Sequence, residues 1–157
     1  LMAAQSASTM TEKKVRVVPT RSVPEGLTAC LMINPDGDLD EVVQNMEKAI
    51  KDVDSGEIAT ATRSLTINGF DVKEGEVISL LNGDLVGSTD SLEKACDNLL
   101  AAVNIKEKEH LTILYGNNVS KEQVDSVADY LKRNYPDLEL ELHEGGQPHY
   151  QFIIAIE

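Results

Sequence analysis

The stretch HLTILYGNNVSKEQVDSVADYLKRNYPDLELELH, from His110 to His143, holds the pattern that decides the fold. HLTILYG is a short apolar run, which predicts a buried strand. The following segment begins with a capping signal and ends at Pro136, which predicts a helix. LELELH alternates apolar and polar residues, as a strand does. Inward positions of the helix, at helical spacing, are Val124, Val127, Ala128 and Leu131.

Further elements lie on both sides of this unit. EGEVISLLNGDLVGS predicts a hairpin around an Asn82-Gly83-Asp84 turn. TDSLEKACDNLLAAVNI predicts a helix capped by Thr89 or Asp90. EIATATRSLTI, from Glu57, predicts one strand that an Asn68-Gly69 turn ends, and YQFIIAIE predicts the last strand. The order β-ββ-α-β-α-β-β, with helices crossing over, predicts an α/β fold whose mixed sheet contains parallel pairs.

Residues 1–56 have a different pattern of predicted elements. KKVRVVPT (Lys13–Thr20) predicts a short buried strand, and RSVPEGLTACLMI predicts a helix capped by Ser22. A second helix from Leu39 is expected to end at Gly56. We interpret residues 1–56 as the partial end of a preceding α/β lobe and residues 57–157 as a complete lobe. Because the sequence starts with LMAAQSASTM, which is typical of a helix already under way, we expect a fragment of a longer protein.

Composition excludes several classes of partner. The chain has 27 Asp and Glu against 14 Lys and Arg, a formal net charge of −13, which argues against nucleic acid and anionic membranes. No apolar run reaches the roughly 18 residues that a membrane span needs. Cys30 and Cys96 lie in apolar helical patterns without ligand spacing, which predicts free, buried thiols in a reducing cytoplasm.

Motifs of common catalytic and metal sites are missing from the sequence. No phosphate-binding loop, dinucleotide-binding glycine pattern or HExxH motif occurs. The turn Asp36-Gly37-Asp38 does not continue with EF-hand spacing. Ser22 lacks the GxSxG frame of a nucleophile elbow. We therefore predict no catalytic residue and no metal ligand in this chain.

Two loops remain as candidate sites. PTRSVPEG (Pro19–Gly26) joins a predicted strand to a helix, where free backbone N–H groups could meet an anion. EGGQPHY (Glu144–Tyr150) contains a Gly-Gly pair that allows a sharp turn or a close backbone approach. Structural punctuation remains the alternative for the first loop, and a plain turn remains the alternative for the second.

Five segments carry a family resemblance. VPTRSVPEGLTACL, GEIATATRSLTI, VKEGEVISLLNGDLVGS, LTILYGNNVS and HEGGQPHYQFIIAIE together resemble the C-terminal region of the fatty acid kinase catalytic subunit. This family is also called dihydroxyacetone-kinase-like and is distantly similar to DegV-type fatty-acid-binding proteins. The resemblance covers all 157 residues in order. It implies a DegV-like mixed sheet with helices packed on it, as part of a two-lobed region.

The resemblance also implies a function. The parent protein would be an ATP-dependent kinase that binds ATP and Mg²⁺ in an N-terminal domain outside this chain. This region would dock a DegV-like fatty-acid-carrier protein for acyl phosphate formation in the cytoplasm. Its partners would be that carrier and the rest of the parent kinase chain, with a homodimer of the parent left open. Residues implied in partner or ligand binding are Thr20, Arg21, Ser22, Gly145, Gly146, Gln147, His149 and Tyr150.

Two alternatives stay open from the sequence. One is a ligand-binding module that senses fatty acid or acyl phosphate. The other is part of a small-ketose, glycerone-type kinase. A cavity lined by Leu and Ile near Thr20–Ser22 would favour sensing, whereas a filled core with an apolar surface patch would favour docking.

Overall fold

A computed structural model describes residues 1–67 and 69–157. The chain divides into two compact units, Leu1–Val53 and Asp54–Glu157. The turn predicted at Asn68-Gly69 begins at a residue that lies outside the described part of the chain. None of the helices in the described residues has the length and apolarity needed to cross a bilayer.

The first unit consists of three helices, α1 (Met2–Ser8), α2 (Val23–Leu31) and α3 (Leu39–Ala49). Ser22 caps α2 as predicted, because its Oγ accepts a hydrogen bond from the Glu25 backbone N–H at 3.2 Å. Asp38 caps α3 in the same way, with its carboxylate accepting from Asp40 N at 2.9 Å.

Three predictions for this unit are wrong. The segment KKVRVVPT forms no strand, and Val15 is 40% exposed. A strand needs a ladder partner, and none of the described residues 1–53 is in a strand. Helix α3 ends at Ala49, well before Gly56, which lies inside a strand of the second unit. Cys30 is exposed, because α2 turns the neighbouring Ala29 inward instead.

The second unit is an α/β sandwich, so the predicted fold class is confirmed. Its elements are β1 (Asp54–Thr60), β2 (Leu65–Ile67), β3 (Phe70–Val72), β4 (Val77–Leu81), β5 (Asp84–Thr89), α4 (Leu92–Ala102), a 3-10 turn (Ile105–Glu107), β6 (His110–Tyr115), α5 (Lys121–Asn134), β7 (Glu139–Glu144) and β8 (Tyr150–Ile156).

The main sheet has six strands in the order β5-β4-β1-β8-β6-β7. Strands β6 and β7 pair in parallel, and the other neighbours are antiparallel. A separate two-stranded sheet pairs β2 with β3.

The core of this unit lies between the sheet and helices α4 and α5. The four predicted inward residues of α5 are buried, as expected from their spacing. Val124, Val127 and Leu131 pack with α4 and with alternate residues of the central strands. Fully buried strand residues of this core are Ile58, Leu111, Ile113, Phe152, Ile154 and Ile156. Cys96 is buried here as predicted, and desolvation raises the pKa of its thiol far above the ordinary value.

Two local predictions for this unit need correction. The run from Glu57 is not one strand, because β1 ends at Thr60 and β2 begins at Leu65 in a different sheet. Helix α4 is capped by Ser91 and not by Thr89 or Asp90, since Ser91 Oγ accepts from the backbone N–H of Lys94. Asp90 instead forms an ion pair with the Lys94 side chain.

A half-buried ion pair closes one end of the sheet. Lys108 Nζ lies 2.8 Å from Asp54 Oδ2, and the Asn82 amide donates to Asp54 Oδ1 at 2.8 Å. Desolvation pushes the pKa of Asp54 upward, but the hydrogen bonds from Lys108 and Asn82 outweigh it and the pKa is lowered. The Asn82 turn itself has φ values of +53° and +89° at Asn82 and Gly83, which is the predicted hairpin geometry.

Replacing Lys108 with Met should lower the free energy of unfolding by about 1–2 kcal/mol at neutral pH. A lowered Asp54 pKa in the folded state stabilises the fold above the ordinary carboxyl pKa of 3.8, and this contribution is lost as the pH falls through the folded-state value. The difference between the variant and the parent protein should therefore be largest above about pH 5 and should shrink towards pH 2. Urea denaturation as a function of pH measures it.

Lys94→Met is the matched control, because the Lys94–Asp90 pair has a similar N–O distance of 2.9 Å but its side chains are 63% and 79% exposed. We expect a much smaller loss of stability from Lys94→Met, because solvent screens an exposed ion pair. A Lys108→Met difference that does not change with pH would contradict the assignment to Asp54.

Candidate functional site

The carboxyl ends of the parallel strands β6 and β7 open into two adjacent loops. We call residues 116–120 and 145–149 the junction. In an α/β sheet, the carboxyl ends of parallel strands are where ligands and partners commonly bind. The predicted EGGQPHY loop forms one half of the junction, and the loop between β6 and α5 forms the other half.

Backbone hydrogen bonds join the two loops. The N–H groups of Gly145 and Gly146 both donate to Tyr115 O, at 2.9 and 3.2 Å. Asn117 N donates to Gln147 O at 3.1 Å. The Gln147 side chain donates from Nε2 to Leu114 O at 2.8 Å. The junction is therefore held by the strands beneath it and presents a fixed surface.

Two glycines in the junction are required for different reasons. A Cβ on Gly116 would overlap the carbonyl oxygens of Tyr150 and Gln147, so this position needs space. Gly146 has a φ of +67° and open space around it, so this position needs left-handed backbone. A Cβ on Gly145 would overlap the Gln147 side-chain oxygen.

The exposure of the predicted site residues varies across the second loop. Gly145, Gly146 and His149 are exposed, whereas Gln147 and Tyr150 are half-buried. His149 precedes strand β8, and Tyr150 opens it by pairing with Ala59 of β1. The structure brings these five residues together at one end of the sheet.

The first predicted loop belongs to the first unit, and neighbouring residues accept hydrogen bonds from several of its backbone N–H groups. Arg21 N donates to the Glu25 carboxylate, and Glu25 N donates to Ser22 Oγ. Thr20 N donates to Val18 O at 2.9 Å. Since the chain supplies an internal carboxylate at this helix start, the N–H group of Arg21 is not available to an external anion.

In the part of the chain that the structure describes, no group of three or more His, Cys, Asp or Glu side chains is placed to hold a metal ion. Helix α5 begins with a reciprocal cap, in which Gln123 N donates to Ser120 Oγ and Ser120 N donates to Gln123 Oε1. These contacts occupy part of the helix start, and Glu122 adds a negative charge in its first turn.

Sequence reasoning missed the half of the junction that follows β6. Gly116 is buried and tightly surrounded, and Asn117 and Asn118 are exposed beside the Gly-Gly loop. The signal for this loop was its position, since it follows a buried strand directly and precedes a capped helix.

Comparison with known proteins gives a consistent result. The family model for the C-terminal region of FakA-like fatty acid kinase proteins matches residues 1–157. Protein YloV of Bacillus subtilis is 34% identical over 157 residues, which is 100% of this chain and 28% of that protein. An uncharacterised protein of Staphylococcus epidermidis is 32% identical over the same length, again 28% of that protein. The chain thus spans a little over a quarter of these relatives.

Solved structures with the same fold are DegV family proteins. One from Corynebacterium glutamicum has a TM-score of 0.69 at 18% identity and is matched over 99% of this chain and 69% of that chain. Another, from Thermus thermophilus and described in terms of fatty acid binding, has a TM-score of 0.57 at 14% identity, over 97% and 64%. These likenesses establish the fold alone, and that fold is the DegV-like one predicted.

Proposed function

We propose, on the premise that this chain belongs to the family of FakA-like fatty acid kinase C-terminal regions, that it docks the kinase's fatty-acid carrier. The carrier would be a DegV-like protein that presents its bound acyl carboxylate for acyl phosphate formation. ATP and Mg²⁺ would bind to a kinase domain of the parent chain and not to this region. The parent would be an ATP-dependent phosphotransferase of the cytoplasm.

The junction is the observation that supports docking. Its loops are exposed but are fixed by hydrogen bonds to the strands, so little conformational entropy is lost when a partner binds. Tyr150 is half-buried directly after the junction, and a partly exposed aromatic residue on a strand is a typical interface anchor.

Tyr150→Ala should weaken carrier binding by about 1–3 kcal/mol, or roughly fivefold to 150-fold. The reason is loss of a rigid apolar body with a polar tip directly beside the junction. Because the ring is only half-buried, the variant should remain folded. Isothermal titration calorimetry with the purified DegV-like carrier measures affinity, and thermal unfolding of the same sample measures stability.

His110→Ala is the matched control, because His110 is an exposed residue at the opposite end of strand β6. It should leave carrier affinity unchanged. A folded Tyr150→Ala protein with the parent affinity would remove that side chain from the docking surface. Equal losses from both variants would place the carrier elsewhere.

A different class of function keeps one specific observation in its favour. The ligand-sensing alternative expects a cavity lined by Leu and Ile with polar groups at Thr20–Ser22. The cleft that has such a lining lies in the second unit instead, beside Thr60 and Arg63. No comparable observation favours the small-ketose kinase.

A further inference from the structure

Helix α2 has an apolar face that is exposed to solvent. Val23, Leu27 and Leu31 recur at every fourth position and are 49%, 49% and 77% exposed. Gly26 and Cys30 lie on the same side of the helix, so the five residues have the i, i+3, i+4, i+7, i+8 spacing of a core-facing stripe. Cys30 is exposed, and a Cβ on Gly26 would meet no atom within 4 Å. We call these five residues the α2 face.

The other side of α2 is already packed. Its buried residues are Pro24 and Ala29, and the helix packs against α3. Glu25 is its one charged residue, and that carboxylate accepts the hydrogen bond from Arg21 N. A helix that is apolar on both sides normally lies in the core of a larger protein, between two layers. The described residues of the first unit supply one of these layers.

The extended segment before α2 lacks a strand partner. KKVRVVPT has the β-branched composition of a strand. In the described part of the chain, no acceptor receives a hydrogen bond from the backbone N–H groups of Val15, Arg16, Val17 and Val18. An open row of backbone groups is what an edge strand offers to a neighbouring strand. This row ends at Pro19, which has no N–H to donate.

One kind of partner would satisfy both features. The segment Val15–Val18 and the α2 face belong to consecutive elements, because Ser22 caps α2 only a few residues after Val18. In α/β structures, a helix that directly follows a strand packs on the sheet that contains this strand. A β-sheet placed beside Val15–Val18 would therefore cover the α2 face with its apolar side chains.

The parent kinase chain is the source of this sheet that the relatives indicate. The 157 residues span a little over a quarter of those proteins, and the matching family model describes a C-terminal region. Most of the parent chain therefore lies outside these residues. A second copy is a poorer partner, since its own segment would bring Lys13, Lys14 and Arg16 against the same three basic side chains. Like charges across a strand pair are destabilising.

We propose that Val15–Val18 pairs with a strand from the part of the parent kinase chain outside these 157 residues, and that the apolar side of that sheet buries the α2 face. The partner is thus a sheet of the same polypeptide. This interface completes an α/β lobe of which KKVRVVPT and α2 are one strand and one helix. The proposal rests on the family membership of the chain and not on carrier docking, so either proposal can fail alone.

Cys30 reports whether the α2 face is covered, because its thiol belongs to that face. The purified full-length parent chain and the isolated 157-residue chain are each treated with iodoacetamide under native conditions, and mass spectrometry of the Cys30 peptide gives the labelling rate. This rate should be about 100-fold or more lower in the full-length chain. Cys96 is the internal control, because it is buried and should react slowly in both proteins.

Amide hydrogen exchange in the same two proteins tests the strand pairing. The amides of Val15–Val18 should exchange about 100-fold or more slowly in the full-length chain than in the isolated chain. The amides of the central strand β8 are hydrogen-bonded within the second unit and should be protected in both proteins. They control for global unfolding.

Leu27→Gln should expose the α2 face again in the full-length chain. A polar amide in a buried apolar position favours local opening, so the Cys30 labelling rate should rise about tenfold or more. Leu65→Gln is the matched control, because it makes the same change at a leucine of the second unit that is 36% exposed. It should change the Cys30 rate by less than about twofold.

Three results would overturn the proposal. Equal Cys30 rates in the full-length and isolated chains would mean that the rest of the parent chain does not cover the α2 face. Unprotected Val15–Val18 amides in the full-length chain would exclude the strand pairing. Protection that is lost when the full-length chain is diluted to its monomer would assign the face to a second copy. The comparison of the two unmodified proteins decides these points even if Leu27→Gln fails to fold.

Discussion

Replacing Phe152 with alanine should lower the free energy of unfolding of the second unit by about 3–5 kcal/mol. Phe152 is 0% exposed and belongs to the main core, on a strand with neighbours on both sides. Truncation leaves a cavity that flanking strands β1 and β6 cannot collapse into without breaking their ladders. Urea denaturation followed by tyrosine fluorescence measures this unit selectively, because all four tyrosines lie in it and the chain has no tryptophan.

Phe70→Ala is the matched control, since Phe70 is the only other phenylalanine of the sequence. It is half-buried on the β2–β3 hairpin and packs on a smaller cluster of Ala61, Val72 and Leu85. We expect truncation of Phe70 to lower the free energy of unfolding by about 1–2 kcal/mol. If both variants lost the same free energy of unfolding, the hairpin cluster would stabilise the unit as much as the main core does. That result would contradict the expectation based on the deeper burial of Phe152.

Gly116→Ala should destabilise the second unit by about 2–3 kcal/mol. The added Cβ would overlap two backbone carbonyl oxygens, those of Tyr150 and Gln147, and backbone cannot move aside as a flexible side chain can. The hydrogen bonds from Gly116 N to Gln151 O and from Asn117 N to Gln147 O must lengthen to make room. The same urea experiment measures the loss, and amide hydrogen exchange at the junction locates it.

Gly146→Asn, in the other loop of the junction, distinguishes a need for left-handed backbone from the need for space at Gly116. Asparagine tolerates a φ of +67° better than other residues with a Cβ, and no atom lies within 4 Å of the position that the Cβ would take. The loss should be less than about 1 kcal/mol. If Gly146→Asn destabilised the unit as much as Gly116→Ala, crowding at Gly116 would not be the reason for its glycine.

Elements set by local chemistry were predictable from the sequence. Helix α5 has its cap, its inward spacing and its proline stop within the single stretch from Ser120 to Pro136, and the Asn82-Gly83 hairpin has its turn residues between two apolar runs. Strand identity was less predictable, because it depends on a partner elsewhere in the chain. KKVRVVPT has the composition of a strand but no strand partner among the described residues 1–53, whereas β1 starts three residues before its predicted position.

The candidate site was predictable only on one side. The Gly-Gly pair marked the loop after β7, since glycine pairs indicate turns. Gly116 is a lone glycine after a strand, and its importance comes from two carbonyl oxygens more than 30 residues away in sequence. Such a close approach is a tertiary contact, which cannot be predicted from the periodicity or the composition of the sequence. Likewise, the hydrogen bond from Arg21 N to the Glu25 carboxylate can be recognised only from the folded geometry of the helix start.

Strand β7 forms one border of the six-stranded sheet, and its composition affects how copies of the chain can meet. Glu139, Glu141 and Glu144 are all exposed along it. A second copy that added its own β7 to this border would bring carboxylates against carboxylates, and like charges opposite each other destabilise a strand pair. Growth of a continuous sheet from one molecule to the next is therefore disfavoured here.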